Sequence, residues 1–109
     1  MPSWVPNSGD VVWLEFDPQA GREQAGLRPA IVLSPRNYNS KAGLMICCPV
    51  TTKIKGYPFE VALDGTPKSV VLSDQVRSLD WRRRRAKLKG KVSEIELETI
   101  RQRVRLLVG

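Results

Sequence analysis

The sequence predicts a mainly β protein, a small, strongly bent antiparallel barrel with one α-helix at its C-terminal end. Two patterns carry that reading. Short runs of β-branched and aromatic residues recur at close intervals with Gly, Pro, Asn and Ser clusters between them, and strong helical spacing occurs only near the end of the chain. The first run, "DVVWLEFD" (10–17), sets Val12, Leu14 and Phe16 against Val11, Trp13 and Glu15 and reads as a strand. "PAIVLS" (29–34), "LMICCPV" (44–50), "FEVAL" (59–63) and "SVVLSDQVRSLDW" (69–81) follow as further strands.

Several of these strands are apolar on both faces: Ile31 and Leu33 fall on one side, Ala30 and Val32 on the other. A small barrel has one interior, so the outer faces need a helix or a second subunit to cover them. Ser93 with Glu96 three residues on is a capping box, and Leu97, Ile100, Val104 and Leu107 repeat behind it at helical spacing. Glu94, Glu96 and Glu98 open this helix and Arg101, Arg103 and Arg105 close it, which suits the helix dipole and makes those arginines structural first. Between these elements lies "DWRRRRAKLKG" (80–90). Upstream the apolar positions are odd, Leu79 and Trp81; downstream they are even, Ala86 and Leu88. A strand cannot change parity without an irregularity, so a turn or bulge is expected within Arg82–Arg85, putting the four arginines on a connection at one end of the barrel.

At 109 residues the chain is expected to be one domain over 1–109, long enough to bury roughly two-thirds of its unfolded surface. The 18 Lys and Arg against 11 Asp and Glu give a net charge of +7. That balance favours a polyanionic partner, with a solubilising surface as the plain alternative. Cys47 and Cys48 are adjacent and followed by Pro49, a spacing that fits neither a zinc site nor a mutual disulfide, so reduced thiols and a cytoplasmic location are expected. There is no histidine, which removes the commonest general base and the commonest transition-metal ligand together; no metal or cofactor is expected. No apolar run approaches the ~18 residues of a membrane span, and "MPSWVPNSGD" has no charged start followed by an apolar stretch, so neither membrane insertion nor export is expected.

Two segments hold polar residues that strands and turns leave unexplained. In "FDPQAGREQAGLRPAIVLS" (16–34) a long loop with Pro18, Gly21 and Gly26 leads to Arg28 at the mouth of a buried strand. Pro29 holds the root of Arg28 extended; the residue reads either as an aimed guanidinium or as a rim arginine lying over apolar surface. In "CCPVTTKIKGYPFEV" (47–61), Thr51 and Thr52 follow a buried strand and precede a Lys, Gly and Tyr loop; alone, such a pair reads equally as a β-forming or turn element.

Taken with "VVLSDQVRSLDWRRR" and the terminal "IRQRVRLLVG", the stretches "GDVVWLEFDPQAGREQAGLRPAIVLSPRNYN" and "CPVTTKIKGYPFEV" resemble, in order and over essentially the whole chain, the MazF/PemK family of toxin endoribonucleases, most closely its MazF branch. The resemblance implies an SH3-like barrel with a C-terminal helix and a homodimer binding single-stranded RNA across its interface. It further implies metal-independent, sequence-specific cleavage, and a cognate MazE-like antitoxin, with DNA contacted only through the antitoxin complex. By resemblance the arginine of "RPA" and the first threonine of "TT", here Arg28 and Thr51, are the catalytic pair. Glu23 is a supporting carboxylate for deprotonation or for holding Arg28, and Gln24 positions the strand. Phe16 and Tyr57 are candidates for base stacking, the former equally a core residue; Lys53 and Lys55 are candidates for phosphate, and Thr52 for RNA contact. A second branch uses the aspartate of "DQ" with an arginine two positions earlier. Here Leu72 stands at that earlier position, so Asp74 and Gln75 are assigned RNA contact at most. Basic residues at Arg82 and Arg84 are typical of the family and are assigned to RNA or antitoxin, with Arg83 and Arg85 as added charge. Two rival functions stay open: a non-cleaving toxin that poisons DNA gyrase by contact, and a non-catalytic RNA-binding barrel.

Overall fold

The computed structural model describes residues 4–15, 26–65 and 67–109. Strands β1 (Asp10–Glu15), β2 (Leu27–Val32) and β3 (Leu44–Thr51) form an antiparallel meander, interrupted between β2 and β3 by a short helix, α1 (Arg36–Ala42). After them come β4 (Glu60–Leu63), β5 (Ser69–Leu72), β6 (Arg77–Asp80), β7 (Lys87–Lys91) and the terminal helix α2 (Glu94–Val108). The pairing order is β4-β5-β3-β2-β1-β7, with β6 also on β3: a curled half-barrel backed by a helix.

The expected strand over 69–81 is broken in two. β3 pairs with β6 through Leu44–Cys47 and with β5 through Val50 and Thr51, so it runs out of one sheet and into another. Residues 72–76 stand against only Cys48 and Pro49, and the surplus folds into a turn in which the Gln75 N–H donates to the Leu72 carbonyl at 3.1 Å. Pro49 has no N–H for the ladder, which suits the point where β3 changes partners.

Because β1, β2 and β3 are apolar on both faces, they separate two packed clusters. Val12, Leu14, Ala30, Val32, Met45, Cys47, Leu79 and Trp81 fill the inside of the curl. On the other side Ile31, Cys48, Val61, Val71 and Ile100 pack together, with Val11, Leu33 and Val104 around them. α2 thus covers the outer face, as two-sided strands require, and burying Ile100 contributes about 2 kcal/mol. Its capping box forms in full: Ser93 Oγ accepts from the Glu96 N–H at 3.1 Å and the Glu96 carboxylate accepts from the Ser93 N–H at 2.8 Å. Leu107, expected on the buried stripe, is half exposed, since the last turn also leaves Leu106 and Val108 in solvent. Arg103 donates to the Pro58 carbonyl and Arg105 pairs with Glu98, so both serve the fold.

Helix α1 was not expected from the sequence. Asn residues are weak helix formers, yet Asn39 is fully buried: its Nδ2 donates to the Pro6 and Ser34 carbonyls, its Oδ1 accepts from Ser34 Oγ, and its carbonyl accepts from Trp81 Nε1 at 2.9 Å. Gly43 closes the helix at φ 72°, a left-handed cap.

The parity change does resolve in a turn over Trp81–Arg85, with Arg85 left-handed at φ 53°. Asp80 organises it by accepting from the N–H groups of Arg82 and Arg83. Beyond it Ala86 packs on the inner cluster, but Leu88, expected to follow it inward, is exposed on β7, the last strand of the sheet path.

Candidate functional site

A cleft of about 830 Å³ opens beside the point where β3 leaves the first sheet. Its lining brings together Arg28, Thr51, Thr52, Lys53 and Gln75 of the sequence-derived set. The ladder between β2 and β3 runs Val32 with Cys47, Ile31 with Cys48 and Ala30 with Pro49. The ladder ends at that last pair, since Pro29 has no N–H to carry it on to Val50, and Arg28 and Thr51 lie just beyond it on β2 and β3, both in the lining of the cleft. The Arg28 side of the cleft is exposed, and Thr51 is half-buried. Thr51 Oγ1 accepts from the Lys53 N–H at 3.1 Å, which fixes the hydroxyl and leaves its proton free to donate.

Cations dominate the walls: Arg28, Lys53, Lys89 and Lys91 face two carboxylates, Asp64 and Glu96. Glu96 is occupied, accepting from the Asp64 and Ser93 N–H groups at 2.8 Å each. Partial burial alone would raise its pKa, but these bonds and the Ser93 hydroxyl outweigh that and hold it below the ordinary value.

The other assigned residues lie off the cleft lining. Tyr57 is half exposed and stacks on Phe59, ring centroids 5.2 Å apart, in a loop that Glu60 ties down by accepting from the Lys55 and Gly56 N–H groups. Lys55 and Asp74 are exposed. Arg82 lies over the Trp81 ring at 4.8 Å. Arg84 is half-buried, and its Nη1 donates to the Glu15 carbonyl at 3.3 Å, so it braces the turn against β1. Phe16, Glu23 and Gln24 lie outside the described residues.

Three cleft residues escaped the sequence reading as site residues: Trp13, Lys89 and Lys91. For the two lysines the signal was the alternation of Lys87, Lys89 and Lys91, but nothing in the sequence says that this strand pairs with β1 or bulges at Lys89, and Trp13 carried no signal beyond its strand pattern.

Neither thiol is a nucleophile. Cys47 and Cys48 are free and buried on opposite faces of β3, and burial, the largest cause for both, pushes each pKa up to about 12. Among the described residues no group of three His, Cys, Asp or Glu is placed to hold a metal ion, and no helix is long and apolar enough to cross a membrane.

A curled, helix-backed sheet whose cleft carries an arginine, paired threonines and three lysines defines a small half-barrel with a cationic cleft, suited by charge to an anionic ligand. The profile of the PemK-like, MazF-like toxins of type II toxin–antitoxin systems matches residues 7–108, and the chain belongs to that family. It is 51% identical over 107 residues to the endoribonuclease toxin MazF of Escherichia coli K12, covering 97% of this chain and 96% of that protein. Among solved structures, MazF of Deinococcus radiodurans superposes with a TM-score of 0.87 at 50% identity, covering 98% of this chain and 99% of the other. A MazE–MazF complex from the same organism contains a chain that matches with a TM-score of 0.87 at 45% identity over 98% of each.

Proposed function

We propose that the chain, one toxin domain over residues 1–109, is a sequence-specific endoribonuclease of a type II toxin–antitoxin system that cuts single-stranded RNA without a metal. The observation that carries this reading is the meeting of Arg28 and Thr51 in the lining of one cationic cleft, just past the end of the β2–β3 ladder.

The reaction is attack by the ribose 2′-oxygen on its own phosphorus. A 2′-O–P bond forms, the P–O5′ bond breaks, the 2′-proton passes to a base and the departing 5′-oxygen takes a proton, leaving a 2′,3′-cyclic phosphate and a 5′-hydroxyl. Only RNA has the 2′-hydroxyl. Arg28 supplies forked donors for the non-bridging oxygens as charge grows on the phosphorane, and the Thr51 hydroxyl donates beside it. Guanidinium stays protonated in ordinary surroundings, so Arg28 is not the base. Glu23 assists deprotonation or holds Arg28. Thr52, Lys53 and Gln75 contact the RNA within the cleft, while Lys55, Tyr57 and Asp74 extend the surface, and Gln24 and Phe16 are assigned to RNA contact with them.

Leu44 and Ile46 leave the same face of β3 exposed, apolar surface of the kind a second copy covers, which supports a homodimer. A cytoplasmic MazE-like antitoxin with an acidic segment fits the +7 surface, at Arg82 and the turn that Arg84 braces, and DNA is reached only through that complex.

The test is purified protein with defined single-stranded RNA in EDTA, read by primer extension. Cleavage at a recurring short sequence is expected. Intact RNA with inhibited gyrase would make the chain a non-cleaving poison, and retardation alone an RNA-binding barrel. A Glu23→Gln enzyme holding wild-type rate from about pH 5 to 9 removes Glu23 from the mechanism.

A further inference from the structure

The pairing of β1 with β7 contains an irregularity that the proposed chemistry does not use. Val11 pairs with Gly90 and Val12 with Leu88, so Lys89 is the extra residue of a β-bulge. Bulges re-aim side chains, and this one carries the Lys89 ammonium over the Trp13 ring, Nζ 5.3 Å from the centroid. Both residues line the cleft. Trp13 stands opposite Pro29, the residue after Arg28, on the strand that flanks β2 on the side away from β3, and the cleft that Trp13 and Lys89 line also takes in Arg28 and Thr51. Next to it Gly90 also lines the cleft, and a Cβ built there meets nothing within 4 Å. Its backbone does not need glycine, so the missing side chain leaves open floor.

Given the RNA-cleaving reading on which this rests, we infer that Trp13, Lys89 and Gly90 form a nucleotide subsite of the cleft: the indole face stacks a base, the bulge lysine holds an adjoining phosphate, and Gly90 leaves room for the ribose. The strand order β3-β2-β1-β7 carries the RNA from Thr51 past Arg28 to Lys89, about 14 Å at the usual spacing between strands, room for more than one nucleotide. Stacking on an aromatic with a cation beside it is the recognition that single-stranded nucleic acid receives elsewhere.

The experiment compares wild type with Trp13→Leu, Trp13→Phe, Lys89→Met and Gly90→Val, and with Lys41→Met as an equal loss of charge on α1. Each is read by cleavage of a short single-stranded RNA and by Trp fluorescence on binding an uncleavable 2′-deoxy oligonucleotide. Lys89→Met should raise KM about tenfold with kcat unchanged and make the slope of log affinity against log salt shallower by about 0.7; Lys41→Met should do neither. Gly90→Val should stay folded and raise KM. The fluorescence quench should vanish in Trp13→Leu, and Trp13→Phe should recover most of the affinity. Lys89→Met indistinguishable from Lys41→Met, or a quench that survives Trp13→Leu, overturns the subsite. Wild type that binds with this pattern but does not cut overturns the endoribonuclease reading and leaves the subsite standing.

Discussion

Before Arg28 the ladder between β2 and β3 gives out at Ala30 and Pro49, because Pro29 lacks the N–H that would carry it on to Val50. Beyond that pair β3 turns to β5, and Arg28 and Thr51 both line the cleft that opens there. Neither residue was readable alone, since an exposed arginine and a threonine pair each have ordinary explanations. Resemblance picked them out, and pairing supplied their nearness. Trp13 and Lys89 had no such help: their meeting depends on a bulge, and a bulge leaves little trace in one strand's own sequence. Arg85 shows the opposite case, a charged residue set by backbone geometry. It is left-handed at φ 53° and its ion pair with Glu15 is long, 3.8 Å, and mostly exposed. The left-handed cost of about 1 kcal/mol should outweigh so weak a pair. Thermal unfolding should therefore rank Arg85→Gly level with or above wild type and Arg85→Ala below it; the reverse order would mean that the ion pair dominates.

Among the elements, α2 and the β5–β6 break differ in how far sequence reveals them. The capping box and the apolar spacing of α2 are local, so its start was legible to the residue. The break at 72–76 arises because β3 changes sheets at Pro49 and its neighbour must follow, a long-range cause that period-2 alternation does not register. Helix α1 was missed for the same reason, being held by the tertiary hydrogen bonds of Asn39. Glu96 ties two elements together, linking the start of α2 to Asp64 on the cleft wall. Its pKa is lowered on folding, so its contribution is present above the unfolded carboxylate pKa and is lost as pH falls through the folded one. Glu96→Gln should destabilise by about 1 kcal/mol at pH 7, and the gap to wild type should close in acid; a gap independent of pH would assign the effect to packing.

For the molecule as a whole, a +7 balance on a curled half-barrel separates two electrostatic regions, the cleft cations and the arginine turn at Trp81–Arg85. The turn residues lie off the cleft lining, so charge there should act on affinity without reading bases. Replacing Arg83 and Arg85 by Gln should weaken RNA binding, flatten its salt dependence by about 0.7 because Arg85 already faces Glu15, and leave the cut sequence unchanged. A shifted cut sequence would mean that the turn reads bases. The fold class was legible because alternation, turn residues and a cap all pointed one way; the cleft was less so because it is assembled by β1, β2, β3 and β7 from distant parts of the chain. Whether that assembly cuts RNA with Arg28 and Thr51 acting as a unit is tested most directly by single-turnover cleavage in EDTA with Arg28→Ala, Thr51→Ala and the double variant. Each single change should slow the wild-type rate by about 10²–10³, and the double should be little slower than the worse single. Singles that keep the wild-type rate, or effects that simply multiply, would contradict the account.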